Sequence, residues 1–325
     1  MRISQAEKME IIQIVEQSPI GVKRTLKELG INRSTFYNWY GKYIKDGYDG
    51  LTNKQPERKN FWNQIPAQIR QQVLEMALEL PEKSPREIAV HFTEKNHYHI
   101  SESSVYRILK SKGLILPAVY KAQSASDEFK DKTTKVNELW QTDFTYFKIL
   151  GWGWYYLSTI LDDYSRYIVS WRLCKTMKKE DVQDTITDAL LAQDIPREER
   201  PKLLSDNGSC YIAKEFKTYL HAHGMDHTRG APNHPQTQGK IERYHRSMKI
   251  ILRQDNYFTP EQLEKQIVKW VDYYNNERYH ESLNNLTPAD VYHGRSEQKL
   301  KERAEIKRKT MMERKRIYQQ LKSAS

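Results

Sequence analysis

The spacing of hydrophobic and polar positions changes character twice along the chain. Up to about residue 115 the apolar positions recur at helical intervals. A first helix is predicted to end near Gln17, and Ser18-Pro19 offers the cap and first-turn proline of a second, closed by Leu26, Leu29 and Gly30. Asn32 then caps a third helix that carries Phe36, Trp39 and Tyr40 on one side. A second unit of the same pattern begins at Ser84-Pro85 and continues from Ser101, with Gly113 as its stop. Between 138 and 171 the pattern becomes strand-like. Glu138 to Ile149, Trp154 to Leu161 and Arg166 to Trp171 are rich in aromatic and β-branched residues, with Asp162 to Ser165 as the turn of a meander. From Lys179 onward helical and strand-like segments alternate: a helix to Gln193, a strand at Lys202–Ser205, a helix over 213–222, a short strand near 225–228, a loop over 231–236, then helices at 240–253 and 260–276.

Three strands followed by alternating helix and strand argue for an α/β core with a mixed sheet, behind two all-α units. The expected organisation is a helix-turn-helix domain over 1–52, a second over 60–115, a polar linker over 116–136, the α/β core over 137–295 and a basic helix over 296–325, read as solvated.

Charge sharpens the picture. The net charge is +11, which favours a polyanionic partner. In the first helical unit the polar positions Arg33, Ser34, Thr35, Tyr37 and Asn38 are of a size to reach base edges or phosphates in a major groove, and Ser103, Ser104 and Arg107 are their counterparts in the second. Only Cys174 and Cys210 occur, so neither a disulfide framework nor a four-thiolate zinc site is expected, and the scattered histidines are read as surface or packing residues rather than zinc ligands. The first residues lack the features of a secretory signal, and no apolar run of about 20 residues suggests a membrane span. A cytoplasmic protein is the expectation.

Three carboxylates carry the candidate chemistry: Asp143 in Trp140-Gln141-Thr142-Asp143-Phe144-Thr145, Asp206 in Ser205-Asp206-Asn207-Gly208, and Glu242 in Gly239-Lys240-Ile241-Glu242-Arg243. Two sit on or at the end of strands and one opens a helix, so three elements could aim hard oxygen ligands at one place, the donor set magnesium prefers. Asp162 and Asp163 have the right chemistry but the wrong place, and are expected to hold a turn.

Thirty-five residues stand between Asp206 and Glu242. With that spacing and those motifs, the chain resembles bacterial insertion-sequence transposases of the DDE and retroviral-integrase superfamily. The segment from Tyr274 to Leu283, followed by Leu286-Thr287-Pro288-Ala289, is similar to the end of that family's core. The resemblance implies an RNase H-like catalytic domain with a five-stranded mixed sheet. It also implies a catalytic and metal-binding triad of Asp143, Asp206 and Glu242 holding two Mg²⁺ or Mn²⁺ ions. The expected activity is cleavage and strand transfer on double-stranded DNA, covering both the terminal inverted repeats and the target, by a homodimer or higher homo-oligomer on paired ends. Lys249 matches the family's basic residue two helical turns beyond the glutamate. Lys240, Arg243 and Arg246 are further candidate DNA contacts on the same helix, where His245 also lies beside the carboxylate's face. A transposase-derived regulator that binds DNA without joining it, and a nuclease of RNA–DNA hybrids, are the rival readings.

Overall fold

The structure is a computed structural model and describes residues 3–53, 61–115, 133–230, 238–253 and 255–323. The linker expected over 116–136 therefore lies mostly outside the described residues, as does the loop at 231–236. The chain forms two compact units, one ending at Phe61 and the other beginning at Trp62.

In the first unit α1 (Gln5–Gln17), α2 (Val22–Glu28) and α3 (Arg33–Asp46) enclose Ile12, Val15, Leu26, Phe36 and Leu51. Ser4 and Glu7 form a reciprocal capping box on α1, and the Asn32 carboxamide accepts from the Ser34 backbone N–H at 3.0 Å to start α3. The second helix starts later than Ser18-Pro19 suggests. Ser18 ends α1, and Gly21, at φ 80°, supplies the left-handed turn that precedes α2.

The second unit opens with α4 (Ala67–Glu79), α5 (Pro85–Asn96) and α6 (Glu102–Ser111), packed around Val73, Ile88, Phe92, Val105 and Leu109. Ser84 and Glu87 form the capping box of α5, with Pro85 in the first turn. The α/β part follows: β1 (Leu139–Ile149), β2 (Gly153–Asp162), β3 (Ile168–Cys174), α7 (Lys179–Gln193), β4 (Lys202–Ser205), α8 (Ser209–Ile212), α9 (Lys214–Ala222), β5 (His227–Arg229), α10 (Gly239–Leu252), α11 (Pro260–Asn276), α12 (Pro288–Tyr292) and α13 (Ser296–Ser323).

The five strands form one mixed sheet in the order β3-β2-β1-β4-β5. The first three are antiparallel neighbours, whereas β4 lies parallel to β1 and β5 parallel to β4. This is the five-stranded layout implied by the resemblance. Side-chain alternation along β1 divides the core in two. Trp140 joins Ile160, Val182, Ile186, Leu203, Phe216 and Leu220 under α7 and α9, while Phe147 and Ile149 join Leu157, Tyr244, Met248, Ile267 and Trp270 under α10 and α11.

The outer strand β3 is partly plugged. The buried Asn275 of α11 accepts from the Ile168 N–H at 2.9 Å and donates to the Ile168 carbonyl at 3.0 Å, filling one peptide's place on the edge.

The C-terminal helix corrects the expectation of a solvated tail. α13 lies on α5, with Thr310 and Arg314 buried. Arg314 donates to the Tyr98 hydroxyl, the Asn63 carboxamide and the His99 carbonyl, each at 2.8 Å, with its guanidinium 5.0 Å from the Tyr98 ring centre. One turn earlier the Thr310 hydroxyl accepts from the His99 N–H at 2.9 Å. Nearer its start Arg303 donates to Glu94, which also accepts from the Tyr279 hydroxyl at 2.8 Å. Arg86 of α5 closes the set by bonding Asn285. The helix is polar because its buried face is a row of hydrogen bonds rather than a stripe of apolar side chains.

Replacing Arg314 by Ala leaves buried acceptors unpaired, and is expected to cost about 3 kcal/mol at hydrogen bonds to a charged group. Denaturant unfolding measures this loss, and hydrogen exchange should rise over α13 and the 97–100 segment. Arg316→Ala, which removes only an exposed pair with Glu313, should leave both unchanged.

Candidate active site

Asp143 lies midway along β1, directly across from Thr159 of β2. β1 pairs with β4 only as far as Gln141 opposite Leu204, so Asp143 and Asp206 each follow the last pair by two residues, where the strands part. That parting is bridged by Gln238, whose buried side chain donates to the Thr142 carbonyl at 3.3 Å and the Leu204 carbonyl at 3.4 Å.

Gln238 immediately precedes α10, and the first turn of that helix is fastened at two more points. Gln141 accepts from the Ile241 N–H at 3.1 Å, satisfying one of the amides that every helix leaves unpaired at its start. Its amide nitrogen donates to Asp163 at 2.7 Å, and Lys240 reaches the same Asp163 through both its carboxylate and, at 2.9 Å, its backbone carbonyl. Asp163 also accepts from Thr133 at 2.6 Å. Asp162 holds the turn itself, accepting from the Asn137 N–H at 2.8 Å and from both the backbone N–H and hydroxyl of Ser165, at 2.8 and 2.6 Å. Asp162 thus sits in a turn as its sequence position suggests, and Asp163 links that turn to the helix.

With α10 so held, Glu242 in its first turn lines an open cleft of about 710 Å³ together with Asp143, His245, Arg246, Lys249 and Arg253. Partial burial, and next the negative charge of Asp143, push the Glu242 carboxyl above its ordinary range, while Arg246 and His245 pull the other way. His245 is buried, with Nδ1 3.3 Å from an Asp143 oxygen and Nε2 3.3 Å from the Thr159 hydroxyl. It therefore ties the helix bearing Glu242 to the strand bearing Asp143, a role that the sequence reading did not assign to it. Its position on the Glu242 face was the available signal.

Asp206 is exposed and accepts from the Gly208 N–H at 2.8 Å, as a turn aspartate does. It shares a neighbourhood with Asp143: burial and then the charge of Asp206, followed at shorter weight by Asp143, raise the Cys210 thiol to about 11. Among the described residues no three His, Cys, Asp or Glu side chains converge closely enough to enclose a metal ion. Of the three expected carboxylates, Asp143 and Glu242 line one cleft, whereas Asp206 is bonded within its own loop.

The candidate DNA contacts divide similarly. Arg33, Thr35, Tyr37 and Asn38 are exposed on α3, and Ser34, also exposed, gives its hydroxyl to the Asn32 cap. On α6 Ser103 and Arg107 are exposed, and Ser104 is bonded to the Ser101 cap at 2.9 Å. Arg243 and Arg246 are exposed on α10, and Lys249 is half-buried with its ammonium 4.5 Å from the Tyr146 ring centre. Lys240 does not present its charge outward. Its ammonium is engaged by Asp163, and burial, with Arg166 nearby, lowers its pKa.

The Asp143–Glu242 proximity makes a pH prediction. Because the Asp143 charge raises the Glu242 carboxyl, removing it in Asp143→Asn should shift the Glu242 titration to lower pH, as read by carboxyl-carbon NMR. An unchanged midpoint means that the two groups do not face one another.

Comparison with known proteins agrees with this architecture. Residues 133–235 match the integrase core domain, residues 223–288 match a second integrase core domain family, and residues 35–109 match a homeodomain-like domain. The transposase for insertion sequence element IS629 of Shigella sonnei is 27% identical over 188 residues, 57% of this chain and 62% of that protein. The transposase for insertion sequence element IS904 of Lactococcus lactis is 28% identical over 163 residues, 49% of this chain and 62% of that protein. The chain thus spans about six tenths of the length of these relatives. Among solved structures, the HTLV-2 integrase catalytic core domain in complex with magnesium aligns at a TM-score of 0.40 and 20% identity, over 49% of this chain and 98% of that one. The chain is thus similar to integrase core domains over 133–288, behind a region similar to a homeodomain-like domain, and is similar to insertion-sequence transposases.

Proposed function

We propose that the protein is a DDE-type polynucleotidyl transferase that binds the terminal inverted repeats of an insertion sequence and performs metal-dependent DNA cleavage and strand transfer. The observation that carries this reading is the cleft that Asp143 and Glu242 both line, with Arg246 and Lys249 on the same helix and Arg253 at its end. Two carboxylates, one of which makes ionisation of the other costlier, beside a row of cations form a site for a positive ion and a phosphate together.

The donor set fits a hard divalent cation. Asp143, Asp206 and Glu242 offer only oxygen, as Mg²⁺ or Mn²⁺ prefers, and none of the three has an Arg or Lys ion pair among the described residues. The three would hold two such ions. When bound, such ions lower the cost of an attacking oxyanion and of the leaving oxygen.

The chain's own residues set the geometry. Arg246 and Lys249 hold the phosphates flanking the scissile bond, and His245 keeps Asp143 from swinging away from the cleft. Water attacks the phosphorus at the element's end, forming one P–O bond and breaking another to free a 3′-hydroxyl. That hydroxyl then attacks a target phosphodiester in line, again with one bond formed and one broken. No covalent protein intermediate is required. Exposed side chains of α3 and α6 (Arg33, Thr35, Tyr37, Asn38, Ser103 and Arg107) read or grip the repeat. One cleft per DNA end calls for a homodimer or larger assembly on paired ends. Among the described residues no helix is long and apolar enough to cross a membrane, and we place the protein with DNA in the cytoplasm.

Oligonucleotide joining with Mg²⁺ tests the reading. Asp143→Asn, Asp206→Asn and Glu242→Gln should each lower joining by about a thousandfold or more, comparable to losing a group that acts at the transition state, while binding of the repeat duplex persists. If Asp162→Asn abolished joining and Asp143→Asn did not, the triad assignment would be overturned. His245→Ala should lower the joining rate with little change in DNA affinity, and His245→Asn, which can still donate to Asp143, should recover part of it.

A further inference from the structure

Beside the cleft stands a group of aromatic side chains that the joining reaction leaves without a task. Tyr146 of β1 and Trp154 of β2 are 47% and 51% exposed, with ring centres 5.4 Å apart and planes at 76°. Trp152, at the tip of the same hairpin, is 57% exposed. Rings of this size bury large areas when they pack into a core, and three left half in water on one hairpin mark a contact surface.

The hairpin that presents them is stiff. Its tip is closed by a Trp152 N–H to Ile149 carbonyl bond at 3.1 Å, and it is moored to the segment after α10 by a Leu150 N–H to Tyr257 carbonyl bond at 3.1 Å. The rings are also continuous with the cleft. Past Gln141, β1 has no described strand on its far side, and the Lys249 ammonium stands 4.5 Å from the Tyr146 ring centre. The same Lys249 lines the cleft with Asp143 and Glu242. Lys148, exposed and two residues from Tyr146, adds a second cation on the ring side.

A ligand that spans this surface must be anionic where it meets Lys249 and Lys148, and flat with an open π face where it meets the rings. A nucleotide satisfies both conditions, but a base inside a duplex has its faces covered by its neighbours. We propose that Tyr146, Trp154 and Trp152 form a stacking site for an unpaired nucleobase, displaced from the DNA end held in the neighbouring cleft. Stacking of this kind tolerates any base, because every base has a π face, and the cations grip the adjoining phosphates. The inference deepens the proposed function and rests on it for the source of the base.

The test uses the full-length protein and two hairpin duplexes of one sequence, one blunt and one with a short single-stranded extension containing 2-aminopurine. Fluorescence anisotropy should show the extended duplex bound at least about fivefold more tightly, the lower end of base–aromatic stacking, with the 2-aminopurine emission quenched. Tyr146→Leu combined with Trp154→Leu should remove both the preference and the quench, whereas Tyr146→Phe with Trp154→Phe should keep them. Equal wild-type affinity for the two duplexes, or a preference that survives the leucine pair, overturns the proposal. So does loss of self-association in the leucine pair with the preference intact, which assigns the rings to an interface between copies. The wild-type comparison stands whatever the variants do to folding. Oligonucleotide joining by the same wild-type sample separates the two claims: joining without an extension preference removes the stacking site alone, and an extension preference without joining removes the proposed activity alone.

Discussion

The candidate site depends on how the first turn of α10 is fastened. A helix begins with backbone amides that have no partner within it, and a helix end set against strands must find those partners there. Gln141 supplies one to Ile241, Gln238 crosses to the carbonyls of two diverging strands, and Lys240 is drawn into the turn at Asp163. These bonds connect α10 to β1, β4 and the β2–β3 turn at once, and they lie out of water, where a lost partner is expensive. Everything that follows on the helix takes its direction from that clasp. Glu242, His245, Arg246 and Lys249 stand at intervals of three, four and seven, so one fixed turn aims an acid, a tether and two cations at the same cleft.

Much of this was legible in the sequence, for identifiable reasons. Asp143 and Asp206 stand out because strands are short, apolar and punctuated by turn residues, so a carboxylate in or just after one is conspicuous. Glu242 is conspicuous because a Gly precedes it and a helical period follows. The clasp was not legible. Gln141 occupies a strand position that any polar residue facing solvent could fill, and only the arrival of α10, a hundred residues later in the chain, shows that it faces inward. Lys240 was misread for the same reason, since a lysine at a helix start has no local mark that distinguishes an ammonium held by Asp163 from one held by phosphate. Asp206 is the mixed case: its motif marks both a turn and a ligand, and here its carboxylate serves the turn.

The tail was misjudged because burial was equated with apolar periodicity. Along α13 the contacting face is made of Arg303, Thr310 and Arg314, whose carbon stems and donors suit a partner surface of carbonyls, hydroxyls and a carboxylate on α5 and its flanks. The second helical unit is therefore built into the same body as the α/β core: Glu94 of α5 is shared by Tyr279 and Arg303, and Arg86 holds Asn285. That union makes the span from α6 to the cleft a fixed length, set by protein packing rather than by a tether.

Asn275 has a bearing on assembly. Proteins that gather on one length of nucleic acid reach local concentrations at which open sheet borders can zip together, and such fusion is hard to undo. By seating a carboxamide against Ile168, the fold removes one rung from the β3 border of the sheet. A second strand arriving at that point would find the Ile168 N–H and carbonyl already satisfied.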